Sequence, residues 1–420
     1  MRPDERKTVL LVCSTTGYQT RAFVTAAEKL GLGIVFASDR CHVLDDPWRD
    51  GALAVRFDEP DISAAKTAAY AKEHNVAAVI AVGDQPSAVA ARLAEALRLP
   101  GHPPAAADIC RDKYRSRTAL RMAGLQVPDF RRFLRSQDPR ELATAVSFPC
   151  VLKPLALSGS RGVIRANTRE EFVTAFERIR RLLDSPEVGA LRDPAGEFIQ
   201  IEEYIDGTEI AVEGLVTAGR LQVLAMFDKP DPLVGPFFEE TIYVTPSRLP
   251  AGAQERIGEG LRKAVRAVGL HHGPVHAEAR LNAAGVWIME VAARPIGGLC
   301  ARSLRFQNGM TLEELILWNA LGEALEPRRE SCASGVMMIP IPQAGFLEAV
   351  ENVEEAARTP GVEGIEITAK QRQQLVPLPE GASYLGFLFA RGESPAFVEA
   401  ALRKAHGKLR FVVSPALKVV

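Results

Sequence analysis

Residues 274–295, PVHAEARLNAAGVWIMEVAARP, restrict this chain more than any other segment. Two strand-like runs flank Ala283-Ala284-Gly285. A three-residue hairpin loop wants glycine at its last, left-handed position, and Gly285 supplies it. That register pairs Asn282 with Val286 and sets Glu278 directly opposite Glu290. Like charges facing each other destabilise a hairpin. The conflict disappears when a divalent cation lies between them, and Mg²⁺ prefers carboxylate oxygens, phosphates and water. A register slipped by one residue would instead put the two carboxylates on opposite faces. The residues alone favour the metal hairpin and leave the slipped one open.

The rest of the chain divides by pattern. In the first ~100 residues strands and helices alternate: strand Val9–Cys13, helix Tyr18–Leu30, strands Ile34–Ala37 and Leu53–Phe57, helix Ile62–His74, strand Ala77–Val82, helix Pro86–Leu97. Such alternation predicts a parallel sheet with crossover helices. Leu99–Ala107 (LPGHPPAAA) reads as a linker. Further on, strands are more often paired by short turns, as in an α+β unit. From about residue 330 a small α+β cap is expected, with strand Val336–Ile341, helix Phe346–Ala357, strands Val362–Ile367 and Tyr384–Ala390, and helix Pro395–His406. The expected domains are a Rossmann-like unit over 1–107, a central α+β unit over 108–328 and the cap over 329–420.

Several segments carry chemistry. Lys153 ends the short apolar strand of Pro149-Cys-Val-Leu-Lys-Pro, where a lysine is costly to bury without an anion. The loop Ser158-Gly-Ser160-Arg-Gly162-Val follows, with backbone N–H groups and hydroxyls able to fold over phosphates; a plain hairpin turn fits it equally well until Lys153 is counted. Phe198–Ile205 then Asp206-Gly-Thr-Glu209 read as strand, turn and strand. The glutamates there are either solvated edge residues or part of a nucleotide site, the extended backbone meeting an adenine edge and a carboxylate a ribose. Arg294 follows the paired glutamates, and Pro295-Ile-Gly297-Gly298 makes a tight turn ahead of Arg302 and Arg305. Arginines fix carboxylate or phosphoryl oxygens bidentately; a solvated helix face suits Arg305 better than Arg294. Gly235–Glu240 can line an apolar pocket with Phe237 or Phe238 and offer Glu240 to an ammonium group, or else be a surface loop.

Other classes are excluded. Ser14-Thr15-Thr16-Gly17 and Asp39 stand where a dinucleotide fold keeps its turn and ribose acid, but no G-x-G-x-x-G and no Walker pattern is present. A net charge of −1 gives no long-range pull on nucleic acid or an anionic membrane. No run reaches the ~18 apolar residues of a membrane span, and Val9–Cys13 is too short for a signal-peptide core. The six cysteines (13, 41, 110, 150, 300, 332) have neither C-x-x-C spacing nor histidine partners at metal spacing. A reducing, cytoplasmic setting without disulfides or zinc is expected. There is no Ser-His-Asp or Cys-His constellation to point to.

In order, Asp112-Lys113, Val151-Leu-Lys153-Pro154, the 158–163 loop, Glu202-Glu203-Tyr204-Ile205 with Gly207 and Glu209, then Glu278, Glu290 and Arg294 resemble the ATP-grasp superfamily. The resemblance covers essentially the whole chain. Gly235–Thr241, the C-terminal region and Ala292–Gly298 are most similar to the L-amino acid ligases, which make dipeptides. The resemblance implies an ATP-grasp fold of α/β and α+β parts, with a Rossmann-like pre-ATP-grasp domain and a C-terminal cap. It implies ATP and Mg²⁺ (or Mn²⁺) as cofactors. By it, Lys113 and Lys153 contact ATP phosphates with the Ser160 and Gly162 loop over them. Glu202 accepts from the adenine amino group, Glu203 and Ile205 bond the ring through their backbones, and Glu209 holds the ribose. Glu278 and Glu290 bind metal, and Glu240, Arg294, Gly297 and Gly298 meet substrate, Arg294 and Lys153 being catalytic. Many members read E-x-N at the second metal ligand; here the third position is Ala292.

The expected activity is joining a carboxylate, an amino acid's, to an amine through an acylphosphate, releasing ADP and phosphate. Alternatives are a purine-pathway or biotin-carboxylase-type ATP-grasp enzyme and a non-catalytic nucleotide-binding protein. The expected partners are small amino-acid and amine substrates, with no nucleic acid and no membrane. A homodimer is expected on size alone.

Overall fold

In a computed structural model of the chain, residues 6–15, 17–39, 52–155, 157–323 and 326–415 are described; Thr16 and Cys41 lie outside them. The N-terminal sheet is fully parallel, in the order Leu53–Ala54, Gly33–Ser38, Thr8–Cys13, Val76–Val82. Five of the six residues of Thr8–Cys13 are buried, because crossover helices cover both faces of a central parallel strand. The strands end together at Cys13, Ser38 and Val82, and the Thr15 amide donates to Asp39 Oδ1 at 2.8 Å. Asp39 therefore ties one strand end to another. The expected linker is half helix: Pro104–Arg111 is helical, with Pro104 in its first turn, where a missing N–H costs nothing.

Two antiparallel sheets follow. The smaller runs Phe130–Leu134, Phe198–Glu203, Cys150–Pro154, Ile164–Ala166 and packs on helix Arg169–Leu183. That helix sets Phe172, Phe176 and Ile179 into a core with Leu152 and Ile199. Each buried phenylalanine contributes about 2 kcal/mol. The larger sheet has eight strands, in the order Gly285–Ala292, Gly273–Asn282, Thr208–Thr217, Arg220–Asp228, Ile242–Thr245, Ala333–Ile339, Gly386–Gly392, Val362–Ile367. It crosses the boundary expected at 328/329, since Ile242–Thr245 pairs with Ala333–Ile339. All seven residues of Ala333–Ile339 are buried. Val336 and Met338 join the core shared with the N-terminal helix Thr20–Lys29, whereas Met337 and Ile339 join one under helix Pro395–His406.

Residues 346–357 are not one helix. Gly345–Glu351 is a strand of a three-stranded sheet with Gln374–Leu375 and Arg410–Ser414. Only Val353–Ala357 is helical, and Asn352, at φ 64°, breaks the chain between the two. The strand needs a partner some 60 residues away in sequence, which local periodicity does not register.

The 274–295 hairpin also differs at its tip. Asn282 pairs with Gly285, so the turn is Ala283-Ala284 alone and the register there is one residue off the expected one. Gly285 has φ 132°, and a Cβ on it would lie 2.5 Å from Gln126 Oε1. A bulge at Met289 then restores the count, and Glu278 does face Glu290.

Candidate active site

The two antiparallel sheets and the carboxyl ends of the parallel strands surround a cleft of about 350 Å³. Ser14, Gly83 and Asp84 enter it from the N-terminal sheet, Lys113, Lys153 and Ser158–Ser160 from the middle of the chain, and Ala382 and Tyr384 from the last region. Of the residues expected there, Gly162 is the one that does not line it. Its N–H donates to Pro379 O at 2.7 Å, and a Cβ on it would meet Pro154 at 2.9 Å. Gly162 is a packing glycine, and Gly159 and Ser160 form the cleft side of the loop.

Lys153 ends strand Cys150–Pro154 as expected, and its Nζ lies 2.5 Å from Glu202 Oε2. Glu202 is fully committed: Arg117 Nε is 2.8 Å from its Oε1, and Gln200 Nε2 donates to the same oxygen at 2.7 Å. Burial pushes its carboxyl up, but Arg117 and Lys153 override this and bring it down to about 2. At 1% exposure this carboxylate, expected to meet the adenine amino group, holds Lys153 and Arg117. Ile205 also lines the cleft. Its carbonyl accepts from Arg280 Nη1, and its N–H has no acceptor among the described residues. Lys113 Nζ donates to Leu157 O. Burial lowers the Lys113 ammonium, against the pull of Glu290, Asp84 and Glu202.

Strand alternation builds the next layer. His276, Glu278 and Arg280 share one face of Gly273–Asn282, opposite Glu213, Ala211 and Glu209 of Thr208–Thr217. Opposite charges pair across the strands: Arg280 Nε to Glu209 Oε2 at 2.7 Å, and His276 Nδ1 to Glu213 Oε2 at 3.1 Å. His276 Nε2 is 4.0 Å from Glu278 Oε1, and Ala292 lies directly across from His276 on the other side.

Lys229 is the residue the sequence reading missed that matters most. Its ammonium is 2.8 Å from Glu209 Oε1 and 2.7 Å from Glu278 Oε1, and it also contacts Glu240. These three carboxylates each bring an oxygen within 4.8 Å of the others. Burial lowers the ammonium, yet Glu209, Glu240 and Glu278 outweigh it and hold Lys229 well above its ordinary value. Burial and the neighbouring Glu278 push Glu240 up to about 8, while Lys229, against burial, holds Glu278 below the usual carboxylate range. Glu240 is thus tied to Lys229. Where the sequence offers Glu240 to a substrate ammonium, the structure places the Lys229 ammonium against it. Glu209 likewise carries two cations, Lys229 and Arg280, before any ribose.

Arg294 is also engaged. Its Nε and Nη2 donate to Asp84 Oδ1 and Oδ2 at 2.8 and 3.2 Å, and its Nη1 donates to Pro295 O at 3.0 Å. The expected free substrate clamp is instead an internal clasp. Gly297 and Gly298 line the cleft beside it. Glu290 lines the cleft with no hydrogen bond or ion pair among the described residues. A partnerless carboxylate facing Glu278 across a strand pair fits a hard divalent cation.

The missed residues had uneven signals. Lys229-Pro230 closes an apolar strand as Lys153-Pro154 does, and His276 stands two residues before Glu278, on the same face. Asp84 and Arg117 carried no such sign, because their partners lie 210 and 85 residues away.

Three families match consecutive parts of the chain: ATP-grasp N-terminal domain over 24–101, ATP-grasp domain over 146–303, and L-amino acid ligase C-terminal domain 2 over 337–414. The alanine–anticapsin ligase of Bacillus subtilis is 31% identical over 54% of this chain and 50% of its own length, so the chain spans about half of that relative. The solved L-amino acid ligase from Bacillus licheniformis superposes with TM-score 0.82 at 26% identity, covering 97% of this chain and 99% of that one. A phosphoribosylglycinamide synthetase from Anaerococcus prevotii reaches 0.67 at 16% identity, covering 98% of this chain and 100% of that one, a likeness of fold alone. Among the described residues, no helix is long and apolar enough to cross a membrane. With ATP-grasp N-terminal, ATP-grasp and L-amino acid ligase C-terminal domains matched in order, this chain is ATP-grasp L-amino acid ligase-like.

Proposed function

We propose that this chain uses ATP to activate the carboxylate of one amino acid and joins it to the amine of a second, giving a dipeptide-like amide. A carboxylate oxygen attacks the γ-phosphorus and ADP leaves. The amine nitrogen then attacks the acylphosphate carbonyl carbon, phosphate leaves, and the nitrogen gives up a proton. The observation that carries this reading is the charge arrangement of the cleft. Lys113 and Lys153 line it from two elements and the facing pair Glu278 and Glu290 lines it from a third, with the buried Lys229 ammonium 2.7 Å from Glu278 Oε1.

Lys113 and Lys153 suit the phosphate oxygens, with Gly159 and Ser160 above them. The free N–H of Ile205 suits an adenine nitrogen. Glu278 and Glu290 would hold Mg²⁺ or Mn²⁺, which when bound supplies charge neutralisation on the transferring phosphoryl group. Glu202 fixes Lys153, so that the ammonium is positioned before substrate arrives. Asp84 does the same for Arg294, whose guanidinium then bounds the space for the reacting carboxylate. A cytoplasmic setting and a homodimer belong to this proposal, the latter on size alone; light scattering at monomer mass would remove it.

The test is an amino-acid-by-amine matrix with ATP, scored for phosphate release and for product mass. Phosphate release that requires two amino acids and yields their condensation mass supports the reading. Release with bicarbonate or phosphoribosylamine, or with no acceptor at all, overturns it.

A further inference from the structure

The glycine-rich loop after Lys153 is held at both ends and open in between. At its start, the Lys113 ammonium donates to Leu157 O. Its crest, Gly159 and Ser160, sits in the left-handed region at φ 63° and 56°, and a Cβ on Gly159 would meet nothing within 4 Å. The N–H groups of Gly159 and Ser160 have no acceptor among the described residues. A serine in that region is strained, and it stays there only where its surroundings hold the backbone.

The far end of the loop is held from the last region of the chain. Residues 376–382 lie between strands Gln374–Leu375 and Gly386–Gly392 and form a strap across it. Pro379 O accepts from the Gly162 N–H at 2.7 Å, and Glu380 O accepts from Arg161 Nε at 2.7 Å. The Glu380 carboxylate takes two donors from Arg178 of helix Arg169–Leu183: Nε to Oε1, and Nη2 to Oε2 at 2.8 Å. Arg178 holds that carboxyl below its ordinary value. The strap keeps its shape through its own turn. The Gly381 N–H donates to Pro377 O at 2.9 Å, and a Cβ on Gly381 would lie 1.8 Å from Val376 O, so only glycine closes it. Ala382, the next residue, lines the cleft, whereas neither Arg178 nor Glu380 does.

We infer that Glu380 is a positioning residue for the nucleotide: through Arg178, and through its own carbonyl on Arg161, it sets the 158–163 loop over the phosphates. This rests on the ligase reading of the cleft. A two-pronged pair of opposite charges fixes direction as well as distance. The helix that carries Arg178 packs on the same small sheet whose strands Cys150–Pro154 and Ile164–Ala166 flank the loop. The strap therefore grips the loop directly at residues 161 and 162 and its supporting layer at residue 178. A loop already in place does not have to be ordered when the nucleotide binds. Arg178 and Glu380 are each more than a third exposed, and an ion pair so exposed adds little to folding stability. Its effect falls on the nucleotide rather than on the fold.

The experiment uses MgADP as probe, read by equilibrium dialysis, beside apo thermal midpoints and phosphate-release kinetics. Glu380→Ala should weaken MgADP and raise the KM for ATP about tenfold, inside the ~5–150-fold range of coupling between separate sites. The KM for each amino acid should stay in place, and the apo midpoint should stay within a degree or two of the wild type. Arg178→Ala should do the same, and the double variant should be no worse than either single one, because the two side chains form one contact. Glu380→Asp, which keeps the charge, should recover part of the MgADP affinity. Unchanged MgADP affinity in Glu380→Ala, an equal rise in the KM for ATP and for amino acids, or additive losses in the double variant overturns the inference. Failure of every amino-acid pair to release phosphate, with the MgADP loss in Glu380→Ala intact, overturns the ligase reading and spares the inference. A wild type that does not bind MgADP overturns both.

Discussion

Arg294 and Asp84 form a two-pronged clasp between the grasp core and the first domain, Nε to Oδ1 at 2.8 Å and Nη2 to Oδ2 at 3.2 Å. Asp84 opens helix Asp84–Leu97 just after the last parallel strand, and Arg294 follows strand Gly285–Ala292 of the hairpin. Burial raises the Asp84 carboxyl, but Arg294, Lys113 and Ser158 outweigh it and lower it. The clasp thus brings Lys113, Ser158 of the glycine-rich loop and the hairpin exit to one carboxylate.

Asp84→Asn should lower stability by about 1.5–3 kcal/mol, the range for a hydrogen bond to a charged group. It should also lower kcat about tenfold or more, because Arg294 then loses its fixed direction. Asp84→Glu should recover part of the turnover. Denaturant unfolding and phosphate-release kinetics read the two effects separately. If Asp84→Asn matches the wild type in both, the clasp is a surface contact of no consequence.

Lys153→Ala should cost roughly 10²–10³ in turnover, the scale for losing one preorganised donor at developing charge. The fold should survive, because Arg117 still neutralises Glu202 from the other side. Circular dichroism and phosphate release together decide this. Near-normal turnover in a folded variant would remove Lys153 from the phosphate site.

Glu202 makes acid sensitivity readable. Its folded value, about 2, lies below the ordinary 4.5, so its stabilisation is fully present above pH ~4.5 and is lost as pH falls towards 2. Glu202→Gln should therefore flatten the fall in unfolding midpoint between pH 5 and pH 2. At pH 7 it should cost about 3–5 kcal/mol, since Arg117 and Lys153 lose their buried partner. An unchanged acid profile would mean that Glu202 is not the group being titrated.

Much of this was legible in the chain because it was local. Lysines closing apolar strands, a glycine-rich loop after Lys153 and alternation around Glu278 all depend on neighbours within a few residues. The opposition of Glu278 and Glu290 was reached through an incorrect turn. The two-residue loop shifted the register one way, and the bulge at Met289, which no sequence sign announces, shifted it back. What could not be read was the partner of each charge. Glu202, Glu240, Glu209 and Arg294 looked like free hands for a ligand, and each is held by a residue of the chain itself. Those pairings arise from the meeting of separate sheets, so no spacing encodes them. The strand Gly345–Glu351 was lost for the same reason, as its partner is the end of the chain.

The two facing glutamates are not equivalent, and their difference separates metal binding from structure. Glu278 already neutralises Lys229, and Lys229 is only 3% exposed. Glu290 has no bonded partner among the described residues and acts on Lys113 and Arg294 through space alone. Glu290→Gln should therefore leave the apo thermal midpoint within a degree or two of the wild type, a surface-like substitution in stability terms. It should raise the Mg²⁺ or Mn²⁺ concentration needed for half-maximal phosphate release by at least ~10-fold, because the amide brings no charge to a hard cation. Glu278→Gln should show the metal effect and also lower the apo midpoint, since the buried Lys229 ammonium loses one of three carboxylates. Metal titrations of activity beside apo melting curves distinguish the two variants. Activity that survives excess chelator, or an apo midpoint equally depressed in both variants, would make the pair a structural feature of the hairpin rather than a place for a metal.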